Sequence, residues 1–404
     1  MHKLAFCMSQ NDFPAVIPHP FFLQESSPIV LCGPTDLLKK SRFTILNSRQ
    51  SPRMNKHDEW IANTLNSLRS EDLRNNVLVT SLGTTSWDFL TWAGNRIGLP
   101  IILIFPPGSA QNFNVLRTKA IIGLGLEDAK TLAIRPLVIR RSMKHTETNA
   151  LRDNWVFALS QRLIKNSIRP GGNFERYLSH EELPETDISR ELEVQYKKSP
   201  PNRRPKLPER IALPEWYKPE EYLIHWTRSC VGPWPDEKRC EHFGRMMESK
   251  PSDNQGMETL MRIFSEKVIR ASTRMIRGGY AVVPFTARPP EDLSKLIRWR
   301  VGLRRWTFEP YGIAIKRSRL EALGARPALY GDIAKYDSLS EGDRSFFQMA
   351  GSGKQDWTKE REWRVHGNIE LNKLDKNDIT AIVHIGEEAA EIGKKHKIPA
   401  LSIT

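Results

Sequence analysis

The sequence VLVTSLGTTSWDFLTWAGNRIGLPIILIF, from Val77 to Phe105, contains the pattern that decides the fold of the N-terminal half. Val77 to Val79 predicts a short strand, and Ile101 to Phe105 is a fully apolar run, as expected for a strand covered on both faces. Between them, Trp87 to Ile97 is predicted to be a helix that ends at the glycine and proline of Gly98 to Pro100. Strand, helix and strand in this order require a right-handed crossover and parallel strands. The stretch therefore predicts an α/β fold with a Rossmann-like parallel sheet.

The same alternation continues on both sides of this stretch. Phe43 to Leu46 predicts an earlier strand, Trp60 to Leu68 has apolar residues at roughly helical spacing, and Thr131 to Val138 predicts a later strand. The residues before position 28 are rich in proline, phenylalanine and serine, and we expect them to form an irregular arm. The N-terminal domain is accordingly predicted to span residues 28–150.

A basic, proline-rich stretch separates this domain from the rest of the chain. Residues 151–195 are expected to begin as a helical region, and their later part is rich in acidic residues. The stretch from Lys197 to Lys206 combines prolines with like charges, which favours an extended linker. Residues 211–404 mix helical and strand periods, including a helical stripe from Met257 to Val268. We therefore predict a linker region over residues 151–210 and a mixed α+β domain over residues 211–404.

The composition is that of a globular protein with an excess of positive charge. A chain of 404 residues, 39% hydrophobic and 27% charged, is expected to form two domains. No apolar run approaches about 18 residues and no signal peptide is recognisable, so we expect no membrane span and a cytoplasmic location. The net charge of +14 attracts phosphorylated ligands or nucleic acid, although solubility and a basic linker account for it equally well.

Two loops of the predicted sheet follow the carboxyl ends of strands, where ligands of parallel sheets bind. Backbone N–H groups, small hydroxyl side chains and a positive helix end suit a phosphate, and an arginine adds a forked contact. Ser86 is also the expected N-cap of the helix, and serine and threonine cap helices in many proteins, so a purely structural interpretation stays open. The predicted ligand-binding residues are Ser48, Arg49, Ser81, Gly83, Thr84, Thr85 and Ser86.

This region resembles the SLOG superfamily, which includes the DNA-processing protein A and lysine-decarboxylase-like Rossmann proteins. The resemblance rests on Asn47-Ser48-Arg49, on Val79 to Ser86, and on the helix and apolar strand that follow. Asn47 replaces the first glycine of the usual family pattern, and Ser81 stands where a glycine is common. The resemblance implies that the domain binds a nucleotide, a nucleotide-derived signal or single-stranded DNA.

Three segments of the C-terminal half place polar or charged residues against short apolar strands. They are Leu223 to Arg228, Val282 to Arg288 and Lys359 to Val365. Residues drawn from these segments into one cleft suit chemistry at a glycosyl cation. An arginine or histidine would hold the phosphates or ribose of a dinucleotide, a hydroxyl would orient the site, and a glutamate would stabilise the oxocarbenium ion. The candidate catalytic residues are His225, Arg228, Thr286, Glu360 and Glu362.

Each candidate also has a structural interpretation. His225 is more often a core or capping histidine than a catalytic one, and Thr286 is an ordinary β-branched residue in a strand. Glu362 and its arginine neighbours fit a cross-strand ion ladder. The catalytic interpretation therefore requires these side chains to meet around one hollow.

The C-terminal half resembles a family of bacterial proteins that is similar to abortive-infection proteins of the AbiGi type. The resemblance extends over most of residues 222–385 and rests on His225 to Arg228, Phe308 to Ala314 and Glu360 to Arg364, among others. A remoter resemblance is to ADP-ribosyltransferases, whose active sites combine an arginine or histidine, a hydroxyl residue and a glutamate. These resemblances imply an antiviral or stress-response effector whose C-terminal domain uses NAD, as an ADP-ribosyltransferase or an NAD glycohydrolase.

Other functions stay open from the sequence. The charge and the likeness to DNA-processing protein A favour a non-enzymatic protein that binds single-stranded nucleic acid, with a steep dependence on salt. A third interpretation is an antitoxin-like regulator that works through protein interactions, and a homo-oligomer is compatible with all three.

No metal is expected. His225, Cys230, Cys240 and His242 lie close together in the sequence, but their spacing matches no usual zinc motif. The four cysteines are also too few and too scattered for a disulfide framework.

Overall fold

The computed structural model describes most of the chain. The described residues are 6–8, 17–23, 28–51, 54, 56–137, 144–197, 204–229, 232–248, 255–300, 305–351 and 356–404. They divide into two compact units. The N-terminal unit comprises Met1–Pro200 with Val231–Pro251, and the C-terminal unit comprises Pro201–Cys230 with Ser252–Thr404.

The N-terminal unit is built on one mixed sheet. Its strands in the described residues are β1 (Phe6–Met8), β2 (Ile29–Cys32), β3 (Ser41–Asn47), β4 (Asn76–Ser81), β5 (Ile101–Ile104), β6 (Thr131–Pro136), β7 (Arg162–Ser167) and β8 (Ile188–Ser189). Its α-helices there are α1 (Glu59–Arg69), α2 (Thr85–Arg96), α3 (Phe113–Leu124), α4 (His145–Leu159), α5 (Asn173–Leu178) and α6 (Arg239–Glu248).

The strand order is β1-β2-β6-β5-β4-β3-β7-β8. The six strands from β6 to β8 in this order are parallel, whereas β2 and β1 pair antiparallel at one edge. The chain runs outward from β3 through β4, β5 and β6, and then crosses to β7 on the other side of β3. By the general rule for parallel sheets of this kind, the reversal between β3 and β7 is where a ligand crevice is expected, at the carboxyl ends of two neighbouring strands. The α/β class expected from the sequence is confirmed.

The strands of this sheet are buried because helices cover both faces. Ile101 to Ile104 of β5 are at most 1% exposed, in keeping with their unbroken apolar sequence. The sequence differs from the structure at two places. Residues 162–167, expected to belong to a helical region, form β7, and Phe6–Met8 in the expected arm forms the edge strand β1. Both depend on pairing with distant strands, which no local periodicity encodes.

The segment around α6 packs in the N-terminal unit, although its sequence lies inside the region expected to form the second domain. Phe243 is 3% exposed, and its ring centroid lies 5.7 Å from that of Phe89 and 5.5 Å from that of Trp92. Arg239, at the start of α6, forms an ion pair with the buried Asp88 of α2. The N-terminal unit therefore includes a segment from beyond the linker, and the boundary predicted in the linker stays a prediction. In addition, β7 and β8 extend the first sheet beyond residue 150, where the N-terminal domain was expected to end.

The C-terminal unit is a mixed α and β structure. Its strands in the described residues are β9 (Tyr222–Trp226), β10 (Val268–Ile269), β11 (Val282–Thr286), β12 (Trp299–Arg300), β13 (Arg305–Trp306), β14 (Gly312–Lys316), β15 (Arg326–Pro327), β16 (Leu329–Gly331), β17 (Phe347–Met349), β18 (Glu362–His366), β19 (Ile369–Glu370), β20 (Ile379–Val383) and β21 (Ala400–Ser402). Its α-helices there are α7 (Gln255–Glu266), α8 (Leu293–Leu296), α9 (Arg317–Ala322), α10 (Ile333–Ser338), α11 (Glu341–Arg344) and α12 (Gly386–His396).

Seven of these strands form the main sheet, in the order β15-β18-β11-β9-β14-β20-β21. Neighbours are antiparallel except for β20 and β21, which are parallel. Consecutive side chains alternate between two apolar clusters, with Leu223 and Ile313 in one and Ile224 and Ala314 in the other. The sheet is therefore covered on both faces, and open space for a ligand is to be sought where its strands end.

Candidate active site in the C-terminal unit and ligand loops in the N-terminal unit

Two carboxyl groups lie where β18 begins. Glu362 is the first residue of β18 and is the register partner of Thr286, the last residue of β11. Glu360 ends the short 3-10 turn before it, and Arg361 between them has a left-handed backbone with φ of +46°. The sharp change of direction at Arg361 brings both glutamates to the same end of the sheet.

The backbone of Glu360 is held by the segment that follows β11. The hydroxyl of Thr286 donates to the carbonyl oxygen of Glu360 and accepts the N–H of Arg288. The N–H of Ala287 donates to the carbonyl oxygen of Arg361 over 3.1 Å, and the Nε of Arg288 donates to that of Lys359 over 2.9 Å. Thr286 thus positions Glu360, because both hydrogen-bonding functions of its hydroxyl are engaged within the protein.

Glu362 is fixed by Arg364, whose side chain is 1% exposed. The Nε of Arg364 donates to Oε1 of Glu362 over 2.7 Å. Its other nitrogens donate to the carbonyl oxygens of Ser345 and Phe347 and to the amide oxygen of Gln348. Arg364 therefore orients Glu362 and compensates its negative charge, and the glutamate side chain remains 13% exposed.

Glu360 has an unusual electrostatic environment. Burial, together with the neighbouring charge of Glu362, raises the pKa of Glu360 to about 7. The positive charges of Arg298, Arg300 and Arg228 oppose this rise. A carboxyl group with a pKa near the working pH is suited to both take up and release a proton.

Two of these arginines, Arg298 and Arg300, were not among the residues predicted from the sequence. They lie at and just before the strand β12, and their guanidinium carbons are 5.7 Å and 4.2 Å from the ring centroid of Trp357. In the part of the chain that the structure describes, Arg300 has no ion-pair partner. The alternation of arginine and tryptophan in this stretch was the signal available in the sequence, but it does not say which carboxyl group the arginines face.

His225 lies on β9 where that strand separates from β11. Its Nδ1 lies 2.8 Å from the carbonyl oxygen of Pro284, and since a carbonyl only accepts, Nδ1 bears the proton. The imidazole also packs 5.7 Å from the ring of Phe285. Burial and the charge of Arg228 lower the pKa of His225 to about 4, against the opposing effect of the bond to Pro284. His225 is therefore neutral at physiological pH, and its observed contacts are those of a residue that bridges two strands.

Arg228 follows β9 and influences both groups, since its charge acts on His225 and on Glu360. Its backbone carbonyl accepts a hydrogen bond from the hydroxyl of Thr259 over 2.9 Å. Among the predicted residues, Thr286 holds the backbone at Glu360, and the charges of Glu362 and Arg228 act on the Glu360 carboxyl. The imidazole of His225 contacts Pro284 and Phe285 instead.

In the N-terminal unit, the predicted ligand loops follow the adjacent parallel strands β3 and β4. Ser48 is buried, and its hydroxyl accepts the N–H of Arg169, from the segment after β7, over 2.9 Å. Arg49 has an exposed side chain, and its carbonyl oxygen accepts the hydroxyl of Tyr196 over 3.1 Å. Ser48 therefore joins the two chain segments that border the expected crevice, and Arg49 lies beside it.

Polar groups of the loop after β4 that were predicted to bind a ligand are already hydrogen-bonded within the protein. Ser81 is fully buried, and its hydroxyl donates to the carbonyl oxygen of Ile104 over 2.7 Å. The N–H of Gly83 donates to Oδ1 of Asp88 over 3.1 Å, while Arg239 pairs with Oδ2 of the same carboxylate. A carboxylate of the protein thus lies at the helix end where a phosphate was predicted.

A buried arginine of α4 holds the backbone of this loop by a hydrogen bond. Arg152 is 1% exposed and donates to the carbonyl oxygen of Leu82 over 2.6 Å and to Oδ1 of Asp153 over 2.8 Å. The same oxygen of Asp153 accepts the indole N–H of Trp87 over 3.1 Å. Asp88 and Arg152 were missed by sequence reasoning because a helical aspartate and arginine normally lie on a solvated face.

The N-cap of α2 is Thr84, two residues before the expected Ser86. Its hydroxyl accepts the N–H of Trp87 over 3.3 Å from an extended backbone, and lies 3.2 Å from the hydroxyl of Ser86. Thr85, the first helical residue, is partly exposed.

We expect Thr84→Ala to lower the free energy of unfolding by about 1 kcal/mol, since it removes the cap, and Thr84→Ser to retain most of it. Chemical denaturation of the full chain measures the difference, with Thr85→Ala as the matched control. Equal losses in the Thr84→Ala and Thr85→Ala variants would contradict the assignment of the cap.

The metal and membrane predictions concern residues that are only partly described. Cys230, one of the residues considered for zinc, lies outside the described residues, and within the described ranges no group of three His, Cys, Asp or Glu side chains could hold a metal ion. His242 contacts Glu237 and Arg245 instead. Among the helices of the described ranges, none is both long and apolar enough to cross a membrane.

Comparison with known proteins gives little further information. No protein-family model matches the chain, and no curated protein matches it in sequence. Among solved structures, the chain is similar to DNA processing protein A from Helicobacter pylori, which is described by its single-stranded DNA binding mode. The two share 15% sequence identity, with 44% of this chain and 77% of that chain covered and a TM-score of 0.33. At that score the likeness is weak, and no conclusion about fold or function rests on it.

Proposed function

We propose that the C-terminal unit is an enzyme that cleaves the N-glycosidic bond of a phosphate-bearing dinucleotide, with NAD as the substrate. The observation that carries this proposal is the pair Glu360 and Glu362, one with a raised pKa and the other held by Arg364, beside Arg228, Arg298 and Arg300. Two carboxyl groups in different environments at one place suit two different roles in one reaction.

The arginines supply the binding site for the substrate phosphates. A guanidinium group matches two phosphate oxygens with a fork of N–H donors, and stacking on an aromatic ring fixes its plane. Arg300, 4.2 Å above Trp357, is oriented in this way. In this proposal Arg298 and Arg300 hold the pyrophosphate and Arg228 lies closer to the ribose.

The two glutamates act at the scissile bond. The C1′–N bond breaks and nicotinamide leaves with the bonding electron pair, so positive charge develops on the ribose. Glu362, paired with Arg364, stabilises that charge or the 2′-hydroxyl. Glu360, in its ionised form, takes the proton from the water or acceptor group that forms the new bond to C1′. With water, the products are ADP-ribose, nicotinamide and one proton.

For the N-terminal unit we propose a Rossmann-like role in binding a nucleotide-type ligand. The support is the reversal of strand order between β3 and β7, with Ser48 and Arg49 directly after β3 at the carboxyl end where ligands of such sheets bind. The closed loop at Gly83 is a weaker candidate, because Asp88 already occupies its N–H group. In this proposal the chain is a two-part effector, in which one unit senses a nucleotide signal and the other acts on NAD.

We expect Arg300→Met to raise the KM for NAD by roughly 10- to 100-fold, because a charge-assisted contact to phosphate is lost. The matched control is Arg317→Met, since Arg317 also stacks on a tryptophan, 4.5 Å from the ring of Trp363, whose side chain alternates to the opposite face of β18 from Glu362. Turnover is followed by separation of nicotinamide from NAD. A wild-type protein that neither binds nor cleaves NAD would refute the proposed function, as would equal KM values for the two variants.

A further inference from the structure

The segment from Leu293 to Phe308, which contains the hairpin β12–β13, is unusually basic. It contains five cations, Lys295, Arg298, Arg300, Arg304 and Arg305, and no aspartate or glutamate. Lys295 pairs with Asp292, just outside the segment, over 2.6 Å. The four arginines thus form a cationic stretch without an acid of its own.

The hairpin is held in a defined register. Trp299 pairs with Trp306 and Arg300 pairs with Arg305. The two tryptophan rings pack edge to face at 5.4 Å, and the hydroxyl of Thr307 donates to the carbonyl of Leu296 while accepting the N–H of Arg298. The backbone at Arg298 and Arg300 is therefore fixed by strand pairing, by Thr307 and by the tryptophan contact.

Alternation along β12 places Arg298 and Arg300 on the face opposite to Trp299. That arginine face contacts Trp357, and its charge acts on Glu360. Arg298, Arg300 and Trp357 together thus form a surface of arginine and aromatic groups, which we call the Arg–Trp surface, and its charge acts on Glu360 of the carboxyl pair.

We propose that the Arg–Trp surface binds single-stranded nucleic acid. Arg298 and Arg300 lie on this surface, and the sequence of the segment holds two more arginines, so its positive charge exceeds what the two phosphates of a dinucleotide require and suits a run of backbone phosphates. Trp357 and the planar guanidinium groups suit stacking with exposed bases, which a single strand offers and a duplex covers. This inference goes beyond the proposed reaction and does not require that NAD be cleaved.

The test uses the full chain and a fluorescein-labelled 20-nucleotide oligothymidine, with binding followed by fluorescence anisotropy at several salt concentrations. We expect Arg298→Gln with Arg300→Gln to weaken binding at least tenfold and to reduce the slope of log K against log salt by roughly 1.4, about 0.7 for each lost phosphate contact. The matched control is Arg190→Gln with Arg317→Gln, which removes the same charge from two ion-paired surface arginines.

Stacking is tested separately with Trp357. We expect Trp357→Leu to weaken binding by roughly 5- to 100-fold and Trp357→Phe to retain most of the affinity, since a phenyl ring still stacks. A 20-base-pair duplex is expected to bind at least ten times more weakly than the single strand. Circular dichroism of each variant shows whether it is folded.

The inference is overturned if the double variant binds like its control, or if duplex and single strand bind equally well. NAD turnover is measured on the same preparations. If the protein binds the oligonucleotide but does not cleave NAD, the proposed reaction is refuted and the proposed role of the Arg–Trp surface is supported. If it cleaves NAD but does not bind the oligonucleotide, the proposed reaction is supported and the proposed role of the Arg–Trp surface is refuted.

Discussion

Arg364→Met is expected to lower the free energy of unfolding of the C-terminal unit by about 3–5 kcal/mol, the cost of removing one partner from a buried ion pair. Arg364 is 1% exposed, and its guanidinium group compensates the charge of Glu362. Its loss leaves that carboxylate without its cation and the carbonyl oxygens of Ser345 and Phe347 without their donor. Methionine fills similar space but offers no N–H group.

Chemical denaturation followed by tryptophan fluorescence measures this effect. The matched control is Arg361→Met, because Arg361 is exposed and close in sequence but outside the buried network. Replacing both members of the pair, with Arg364→Met and Glu362→Leu, is expected to recover part of the loss since no unpaired charge remains. A loss below about 1 kcal/mol in the single variant would show that Arg364 does not have this structural role.

Glu360→Gln is expected to reduce NAD turnover by roughly 10²- to 10⁴-fold, the range found when a general acid or base is removed. Because the pKa of Glu360 is raised to about 7, we expect the wild-type rate to increase with pH to a midpoint near 7 as the base ionises. The variant has no group to ionise there and should lack this limb. Similar pH profiles for the wild type and the variant would exclude Glu360 as the base.

The same substitution changes the pH dependence of stability. The folded pKa of about 7 lies above the ordinary value of 4.5, so the folded state binds the Glu360 proton more tightly than the unfolded chain does. Its stabilising contribution is complete below about pH 4.5 and is lost as the pH rises to about 7, by about 2–3 kcal/mol. Glutamine stays neutral, so Glu360→Gln should lose less stability than the wild type between pH 5 and pH 8. Thermal unfolding at these two pH values compares them, and parallel curves would contradict burial as the cause of the raised pKa.

The pair Glu360 and Glu362 shows which features of a site local sequence can predict and which it cannot. The strand ends near Thr286 and Glu362 were visible as apolar runs next to polar residues, and the two positions are register partners. The different environments of Glu360 and Glu362 could not be predicted from the sequence. It depends on Arg364, which approaches Glu362 along the same strand, and on Arg298 and Arg300, which come from a separate hairpin.

The sequence by itself determined the order of strands and helices from Phe43 to Phe105, because an apolar period of two or 3.6 residues is a local property of the chain. It also determined the α/β class, since strand, helix and strand in succession allow few arrangements. The stretch from Val77 to Phe105 folds as its pattern indicates, with β4, α2 and β5 in that order.

Only the tertiary structure decided which strands are neighbours and which charges are buried together. β7 became the partner of β3, and α6 joined the N-terminal unit through Phe243 and Arg239. Asp88 occupies the N–H of Gly83, and Glu360 has a raised pKa. The physical reason is the same in each case: pairing, burial and charge compensation depend on residues far apart in the sequence, and their free energies are set when those residues meet.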